Sequence, residues 1–326
     1  MEASLVPRAG IAFEAVPAAG VHGVGLRALP GNVVKLVKGW RKAAAVLQRF
    51  KPDVLFFTGG YVGVPVALAG RNIPSVMYVP DIEPALALKW IGRTVDAVAV
   101  TAEESRRFFP ANKRVKVTGY PIRPEFREAM REDARRFFGL SADPVVLVFG
   151  GSRGARSINE ALWKVLPALL NHAQILHVTG ELDWPRVEAV LASLPESHAM
   201  KYHPSRYLHE EMGLALAASD LVISRAGAAT MGEYPHFGLP SILVPYPHAW
   251  RYQKDNAAYL ASRAAGVILE DEKLDQKLYP TVRDLLEDPA GLKVMSEAAA
   301  SLAVRDAAES IAALLLESTQ EGGHRG

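Results

Sequence analysis

The sequence predicts an α/β chain of two doubly wound parallel-sheet domains facing each other across a cleft. Three observations carry this. Short, nearly continuous apolar runs alternate with longer helical patterns, the signature of parallel strands covered on both faces. The 326 residues suit two domains at about 100–200 residues each. The composition, 49% hydrophobic and 22% charged, is that of a folded chain and excludes extensive disorder.

Strands are expected at Val54–Phe57, Ser75–Tyr78, Ala97–Val100 and Val115–Val117, then at Val145–Phe149, Gln174–Val178, Leu221–Ser224, Ser241–Val244 and Val267–Leu269. Helical patterns fall at Ile158–Leu170, Trp184–Leu194, Glu210–Ala218 and Tyr252–Ala264. The stretch Gly119-Tyr120-Pro121-Ile122-Arg123-Pro124 separates the two groups, and its prolines favour an extended linker. The reading is an N-terminal domain of residues 1–121, with 303–326 packing back on it, and a C-terminal domain of residues 122–302.

Composition also bounds function. There are 37 Lys+Arg and 35 Asp+Glu, a net charge of +2 that makes no case for nucleic acid as a partner. Zero cysteines exclude a disulfide scaffold, a thiolate metal site and a cysteine nucleophile. Val54–Gly70 is uncharged, but Gly59, Gly60, Gly63 and Pro65 interrupt it, so no transmembrane helix is expected. The first residues, Met1-Glu2-Ala3-Ser4, lack a basic stretch before an apolar core, and no secretory signal is expected.

In such sheets ligands bind beyond the carboxyl ends of the strands, so the strand-to-helix loops matter most. Phe149-Gly150-Gly151-Ser152-Arg153-Gly154-Ala155 follows a strand and opens a helix. Its backbone can approach an anion and its helix-start N–H groups can hold one, or its glycines serve only a tight turn. Ser224-Arg225-Ala226-Gly227-Ala228-Ala229-Thr230 has the same setting, with Glu233 in the helix that follows. That carboxylate either complements the helix dipole or accepts from the two hydroxyls of a ribose. Two such loops and one carboxylate together point to a nucleotide carrying a diphosphate.

Gln253 and Asn256 share one face of a helix that follows Pro245-Tyr246-Pro247-His248. They suit sugar hydroxyls or a solvated face. In the first half, Thr58-Gly59-Gly60-Tyr61-Val62-Gly63-Val64-Pro65 reaches the cleft from the other side, or forms a structural turn. From Arg27 to Arg49, Val33, Leu36, Trp40, Ala44 and Leu47 form the expected core face. Val34 and Val37 fall off it among Lys35, Lys38, Arg41 and Lys42, as on a helix lying on an anionic membrane surface or on a solvated basic face.

Taken together, Gly59-Gly60-Tyr61-Val62, Gly119-Tyr120-Pro121-Ile122-Arg123, Gly150 to Ala155, Arg225 to Thr230, Gly238-Leu239-Pro240 and the Pro245–Asn256 stretch resemble the MurG family in order and spacing, over almost the whole chain. The resemblance implies a GT-B fold of two Rossmann-like domains. It also implies inverting transfer of N-acetylglucosamine from UDP-GlcNAc to the C4 hydroxyl of the muramoyl sugar of lipid I, giving lipid II for peptidoglycan. The implied partners are UDP-GlcNAc, a lipid-linked muramoyl-pentapeptide acceptor and an anionic membrane surface, at the cytoplasmic face of the cell membrane. No cofactor and no metal are expected, since the sequence has no Asp-x-Asp pair.

Carried over by motif, Arg123 and Ser152 would contact the donor's diphosphate side, with Gly151 and Gly154 as substrate-binding positions of the same loop. Ala228, Ala229 and Thr230 would serve the phosphates, Glu233 the ribose and Gln253 the sugar, with Gly227 and Asn256 as further substrate-binding positions. Gly59, Gly60 and Tyr61 lie on the acceptor side, and Val34, Lys35, Val37, Lys38, Trp40 and Arg41 on the membrane side. The family opens with a strand and a Gly-Gly-His loop whose histidine is a candidate general base. No Thr-Gly-Gly-His occurs here, and Met1–Pro7 matches an internal segment of the family. One strand–loop–helix unit, about 30 residues, is therefore expected to be missing, through a start lying upstream or a shortened paralogue. Tyr78-Val79-Pro80-Asp81 replaces the family's His-Glu-Gln-Asn, and Tyr252 the first of two glutamines. The catalytic base is left unassigned, with Asp81 and Glu83 as candidates. Two alternatives remain beside this reading: a related transferase using another lipid, and a nucleotide-sugar-binding paralogue without catalysis.

Overall fold

The computed structural model describes residues 2–8, 10–18, 29–60, 62–151, 154–247 and 252–322. The chain divides into two compact units. One comprises Met1–Val79, Pro84–Val117 and Glu309–Gly326, and the other Pro80–Glu83 and Thr118–Ala308. The division falls just before the proline-containing linker. Two differences from the sequence reading stand out: Pro80–Glu83 joins the second unit, and the return to the first comes at Glu309.

The first unit carries a parallel sheet in the order β1 (Leu55–Phe57), β2 (Ser75–Val79), β3 (Ala97–Val100), β4 (Arg114–Val117). All of β2 and β3 is buried, which is why both read as unbroken apolar runs. Met77, Val79, Val98 and Val100 meet Ile91 and Leu88 of the helix Leu86–Thr94 in the core. The C-terminal helix Ala307–Gly322 is tied to the sheet where the Arg114 guanidinium donates to Glu317 at 2.5 Å.

The second unit is a six-stranded parallel sheet in the order β10 (Gly266–Ile268), β9 (Ser241–Leu243), β8 (Leu221–Ser224), β5 (Val145–Phe149), β6 (Gln174–Val178), β7 (Tyr202–Ser205). The chain runs outward from β5 through β6 and β7, then returns to β8 on the other side. The topological switch point therefore lies between β5 and β8. The helix Arg156–Leu169 buries Ile158, Leu162, Leu166 and Leu169 at helical spacing against the sheet. Leu166→Ala would cost about 2–5 kcal/mol through lost burial and the cavity left behind. The helix Thr230–Phe237 stops at Gly238, whose left-handed conformation lets the N–H of Leu239 reach the Tyr234 carbonyl at 2.9 Å.

The sequence reading misses β7. Its residues, Tyr-His-Pro-Ser, carry no run of apolar side chains. Pro204 is tolerated because β7 is an edge strand with one neighbour, so a missing N–H costs no ladder bond on the open side. The expected core face of the helix Leu29–Phe50 also needs correction. Gly39 and Ala43 are the buried residues among those described, and Gly39 lies so close to Pro17 that a Cβ there would fall 2.0 Å from the Pro17 carbonyl oxygen. Trp40, expected inside, is 45% exposed, one residue round from that close approach.

Candidate functional site

A cavity of about 730 Å³ opens at the carboxyl ends of the strands of the second unit, at the switch point. The loop after β5 forms one wall. Gly151 (φ 90°) and Gly154 (φ 74°) adopt backbone that other residues rarely take, and a Cβ on Gly154 would lie 2.5 Å from the Thr179 carbonyl oxygen. The N–H of Gly154 closes the loop onto the Gly151 carbonyl at 2.9 Å. The helix Arg156–Leu169 starts directly after it with Ala155 at the N-cap and no side-chain cap. Gly150, Gly154, Arg225 and Gln253 line the same cavity, so three of the motifs selected from the sequence meet there. Gln253 is fixed by accepting from the Tyr246 N–H at 2.8 Å. Ser152 and Tyr61 lie outside the described residues, as do Arg153, His248 and Arg251.

Around Arg225 the cavity also holds side chains that sequence reasoning did not select. Arg225, first residue after β8, pairs with the Asp271 carboxylate, and its second nitrogen donates to the Ser157 hydroxyl at 2.8 Å. Ser157 in turn donates to Asp271 at 2.8 Å, and Arg225 reaches the Val244 carbonyl at 3.2 Å. Arg156 donates to the buried Asp183 carboxylate at 3.2 Å. Arg225 stood inside a selected motif, but Asp271 lies in a polar stretch with no pattern of its own.

The loop after β8 is shaped from within. The Thr230 hydroxyl donates to the Gly227 carbonyl at 2.7 Å and is buried, so it holds the turn. Ala228 and Ala229 precede the helix, and their carbonyls accept from the N–H groups of Met231 and Glu233 at 3.0 and 2.9 Å. Glu233 belongs to a second group, with Tyr120, Arg123 and Asp81. Gly232 permits it: a Cβ there would sit 2.8 Å from the Tyr120 Cβ, so only glycine lets that ring lie on the helix. Burial pushes the Glu233 carboxyl up to about 7, with the Arg123 guanidinium pulling the other way. Burial and the charges of Glu233 and Asp81 push the Tyr120 hydroxyl up to about 12. Arg123 itself lies 4.0 Å over the Phe126 ring and donates to the His209 carbonyl at 3.1 Å.

Asn256, read from the sequence as a sugar ligand, is fully buried. Its carbonyl accepts from the Ile82 N–H at 3.1 Å, and its amide nitrogen donates to Asp81 at 2.8 Å and to the Ala226 carbonyl at 3.1 Å. A side chain so engaged holds Pro80–Glu83 against the 226 loop instead of offering its amide to a sugar. Burial raises the Asp81 carboxyl above the ordinary range, and the bond from Asn256 partly offsets this. Glu83 lies in the same segment.

In the first unit Gly59 (φ 134°) and Gly60 (φ 79°) turn the chain after β1 into the helix Gly63–Ala69. On the helix Leu29–Phe50, Val34, Val37 and Trp40 are 53%, 45% and 45% exposed, and Lys35, Lys38, Arg41 and Lys42 are exposed beside them. No helix among the described residues is long and apolar enough to cross a membrane.

Comparison with known proteins places this geometry. The glycosyltransferase family 28 N-terminal domain matches residues 1–100 and the family 28 C-terminal domain residues 145–311. The UDP-N-acetylglucosamine–N-acetylmuramyl-(pentapeptide) pyrophosphoryl-undecaprenol N-acetylglucosamine transferase of Roseiflexus sp. is 39% identical over 356 residues, 97% of this chain and 81% of that one. Its counterpart from Desulforamulus reducens is 36% identical, over 93% and 83%. The crystal structure of Acinetobacter baumannii MurG superposes with a TM-score of 0.74 at 27% identity, over 97% of this chain and 88% of that one. Two parallel-sheet α/β units matching both halves of this family give the GT-B fold. The chain belongs to glycosyltransferase family 28 and, within it, to the UDP-N-acetylglucosamine–N-acetylmuramyl-(pentapeptide) pyrophosphoryl-undecaprenol N-acetylglucosamine transferases.

Proposed function

We propose that this chain moves N-acetylglucosamine from UDP-GlcNAc to the C4 hydroxyl of the muramoyl sugar of lipid I, with inversion at C1, giving lipid II. Beside family membership, the carrying observation is the switch-point cavity lined by the glycine loop after β5 and by Gln253. The hydroxyl oxygen forms the new bond to C1, the bond from C1 to the diphosphate breaks, and UDP leaves with the electron pair. Negative charge grows on the diphosphate as this happens. The amides at the start of the helix Arg156–Leu169 and the Arg123 guanidinium are the groups we assign to stabilise it. Gly151, Ser152, Gly154 and the Gly227–Thr230 loop take the phosphates in this reading, Glu233 the ribose hydroxyls and Gln253 the sugar. Asp81 and Glu83 are the candidates to receive the hydroxyl proton, and a raised carboxyl pKa suits Asp81 to that task.

The acceptor's lipid stays in the bilayer, so the protein must work at its surface. We assign contact with anionic lipid on the cytoplasmic face to Val34, Val37 and Trp40, with Lys35, Lys38 and Arg41 supplying attraction, and acceptor contact to the Gly59-Gly60-Tyr61 turn. The exposure of the six helix residues supports the membrane assignment. The test is transfer of labelled N-acetylglucosamine to a short-chain lipid I analogue, with UDP release followed in parallel. Labelled disaccharide-lipid is expected. UDP binding without transfer to this or another lipid acceptor would overturn the reading in favour of a binding protein.

A further inference from the structure

A buried polar chain runs beneath the glycine loop. Asn159 and Trp163 lie one turn apart on the helix Arg156–Leu169. They face His177 of β6 and Tyr202 of β7, which are 1% and 3% exposed. The Trp163 indole N–H donates to the Tyr202 hydroxyl at 3.0 Å, and that hydroxyl lies 2.8 Å from His177 Nδ1. His177 Nε2 lies 3.0 Å from Asn159 Oδ1. The Asn159 amide nitrogen donates to the Thr179 carbonyl at 2.8 Å and to Asp183 Oδ2 at 2.9 Å.

Only one arrangement of protons satisfies this chain. Two acceptors in front of the Asn159 nitrogen turn its oxygen toward His177, so Nε2 must carry a proton. Complete burial holds the ring neutral, so Nδ1 keeps a lone pair and accepts from the Tyr202 hydroxyl. The hydroxyl oxygen then accepts from Trp163. Each bond fixes the direction of the next.

The far end of the chain touches the loop. Thr179 presents the carbonyl against which Gly154 is packed. Asp183 holds Arg156, and Gly154, Arg156 and Asp183 all line the cavity. We propose that His177 and Asn159 are positioning residues for the donor-diphosphate loop: His177 in its Nε2–H form orients the Asn159 amide, which fixes the Thr179 carbonyl and the Asp183 carboxylate on which Gly154 and Arg156 rest. This rests on the donor reading of the cavity.

The test measures UDP and uridine binding by calorimetry for wild type, His177→Gln, His177→Asn and His177→Leu, each at a temperature where circular dichroism shows it folded. Glutamine carries an amide nitrogen to about the place of Nε2 and keeps the donor to Asn159. Asparagine is one methylene too short, and leucine has no donor. His177→Leu and His177→Asn should bind UDP roughly tenfold more weakly, the scale of one lost buried hydrogen bond. Uridine affinity should hold, and His177→Gln should stay near wild type. Equal weakening of UDP and uridine, or no weakening of UDP, overturns the positioning role. A long-range proton–nitrogen correlation spectrum of the wild type gives an independent reading, with a neutral Nε2–H ring expected. An Nδ1–H ring, or one that titrates near neutral pH, overturns the network whatever the variants do. Wild type that binds no UDP overturns the donor reading first and this role with it, even where the spectrum shows the expected ring.

Discussion

Arg225 and Asp271 form a largely buried ion pair in the wall of the cavity, and Ser157 bridges them by accepting from the arginine and donating to the carboxylate. The three residues come from the end of β8, the turn Asp271–Lys273 and the first turn of the helix Arg156–Leu169. One guanidinium thus ties both sides of the switch point together. Removing one partner of such a pair leaves the other charge uncompensated, which costs roughly 3–5 kcal/mol when burial is complete. Asp271→Ala should therefore destabilise the fold by about 3 kcal/mol in chemical denaturation, nearer the lower end because the pair is not fully enclosed. Arg225→Lys should recover little of the lost geometry, since an ammonium cannot fork to Asp271, Ser157 and the Val244 carbonyl at once. A loss below about 1 kcal/mol for Asp271→Ala, the range of exposed pairs, would show that the pair behaves as a surface contact.

This cluster marks the limit of what was legible in the sequence. The strands of both sheets could be read wherever they were buried on both faces, as Val145–Phe149 and Ala97–Val100 are. β7 could not, because an edge strand containing Pro204 carries neither alternation nor an apolar run. The glycine loop was legible because conformation restricts residue type there. Asp271 was not, because a polar residue in a polar stretch becomes informative only when folding brings it to Arg225. Asn256 shows the converse: its spacing from Gln253 suggested one ligand face, while folding turned its amide inward to Asp81 and Ile82.

Glu233 supplies a prediction in pH. A carboxylate can accept from both ribose hydroxyls, and the neutral acid cannot do so equally well. Burial raises this group from an ordinary 4.5 to about 7. A raised folded pKa favours the protonated fold, so the group's contribution to stability is present below 4.5 and is lost as pH rises through 7. Donor binding has the opposite sign. UDP affinity should fall as pH drops below about 7, by up to tenfold per unit if one proton is taken up. Glu233→Ala should weaken UDP by roughly 1.5–3 kcal/mol at pH 8, the scale of hydrogen bonds to a charged group. Glu233→Gln should flatten the pH profile. Calorimetry from pH 5.5 to 8.5 checks all three, and a profile unchanged in Glu233→Gln would remove the ribose role.

Arg123 separates binding from turnover. It is half exposed and held by the Phe126 ring and the His209 carbonyl, so its guanidinium is oriented before any ligand arrives. A fixed positive charge is worth most when the leaving diphosphate develops negative charge. Arg123→Ala should lower kcat more than it raises KM for UDP-GlcNAc, by roughly 10²-fold or more in kcat. Steady-state kinetics with a lipid I analogue decides this. A raised KM with unchanged kcat would mean uniform binding and no role in the transition state.

The helix Leu29–Phe50 makes the last prediction. Its buried face runs through Gly39 and Ala43, which leaves Trp40, Val37 and Val34 in solvent. Exposed apolar side chains on a single helix are unremarkable one at a time. Here they are contiguous, and Lys35, Lys38 and Lys42 flank them along one edge. At helical spacing, residues three and four apart are neighbours, so Val34, Val37 and Trp40 form an apolar ridge, with Arg41 at its end and Lys35, Lys38 and Lys42 beside it. An apolar ridge beside a basic one is the arrangement that inserts shallowly while its cations meet anionic headgroups. Binding to anionic vesicles should therefore fall as ionic strength rises, because the charge contribution is screened within about 8 Å at 0.15 M salt. Neutral vesicles should bind weakly at any salt. Lys35→Glu with Lys38→Glu should lower co-sedimentation with anionic vesicles without unfolding the protein, since both side chains are exposed. Trp40→Ala should lower binding at high salt as well, because its contribution is apolar. If the charge-reversed protein, folded by circular dichroism, sediments as wild type does, this helix is a solvated basic surface and the membrane contact must be sought on another face of the first unit.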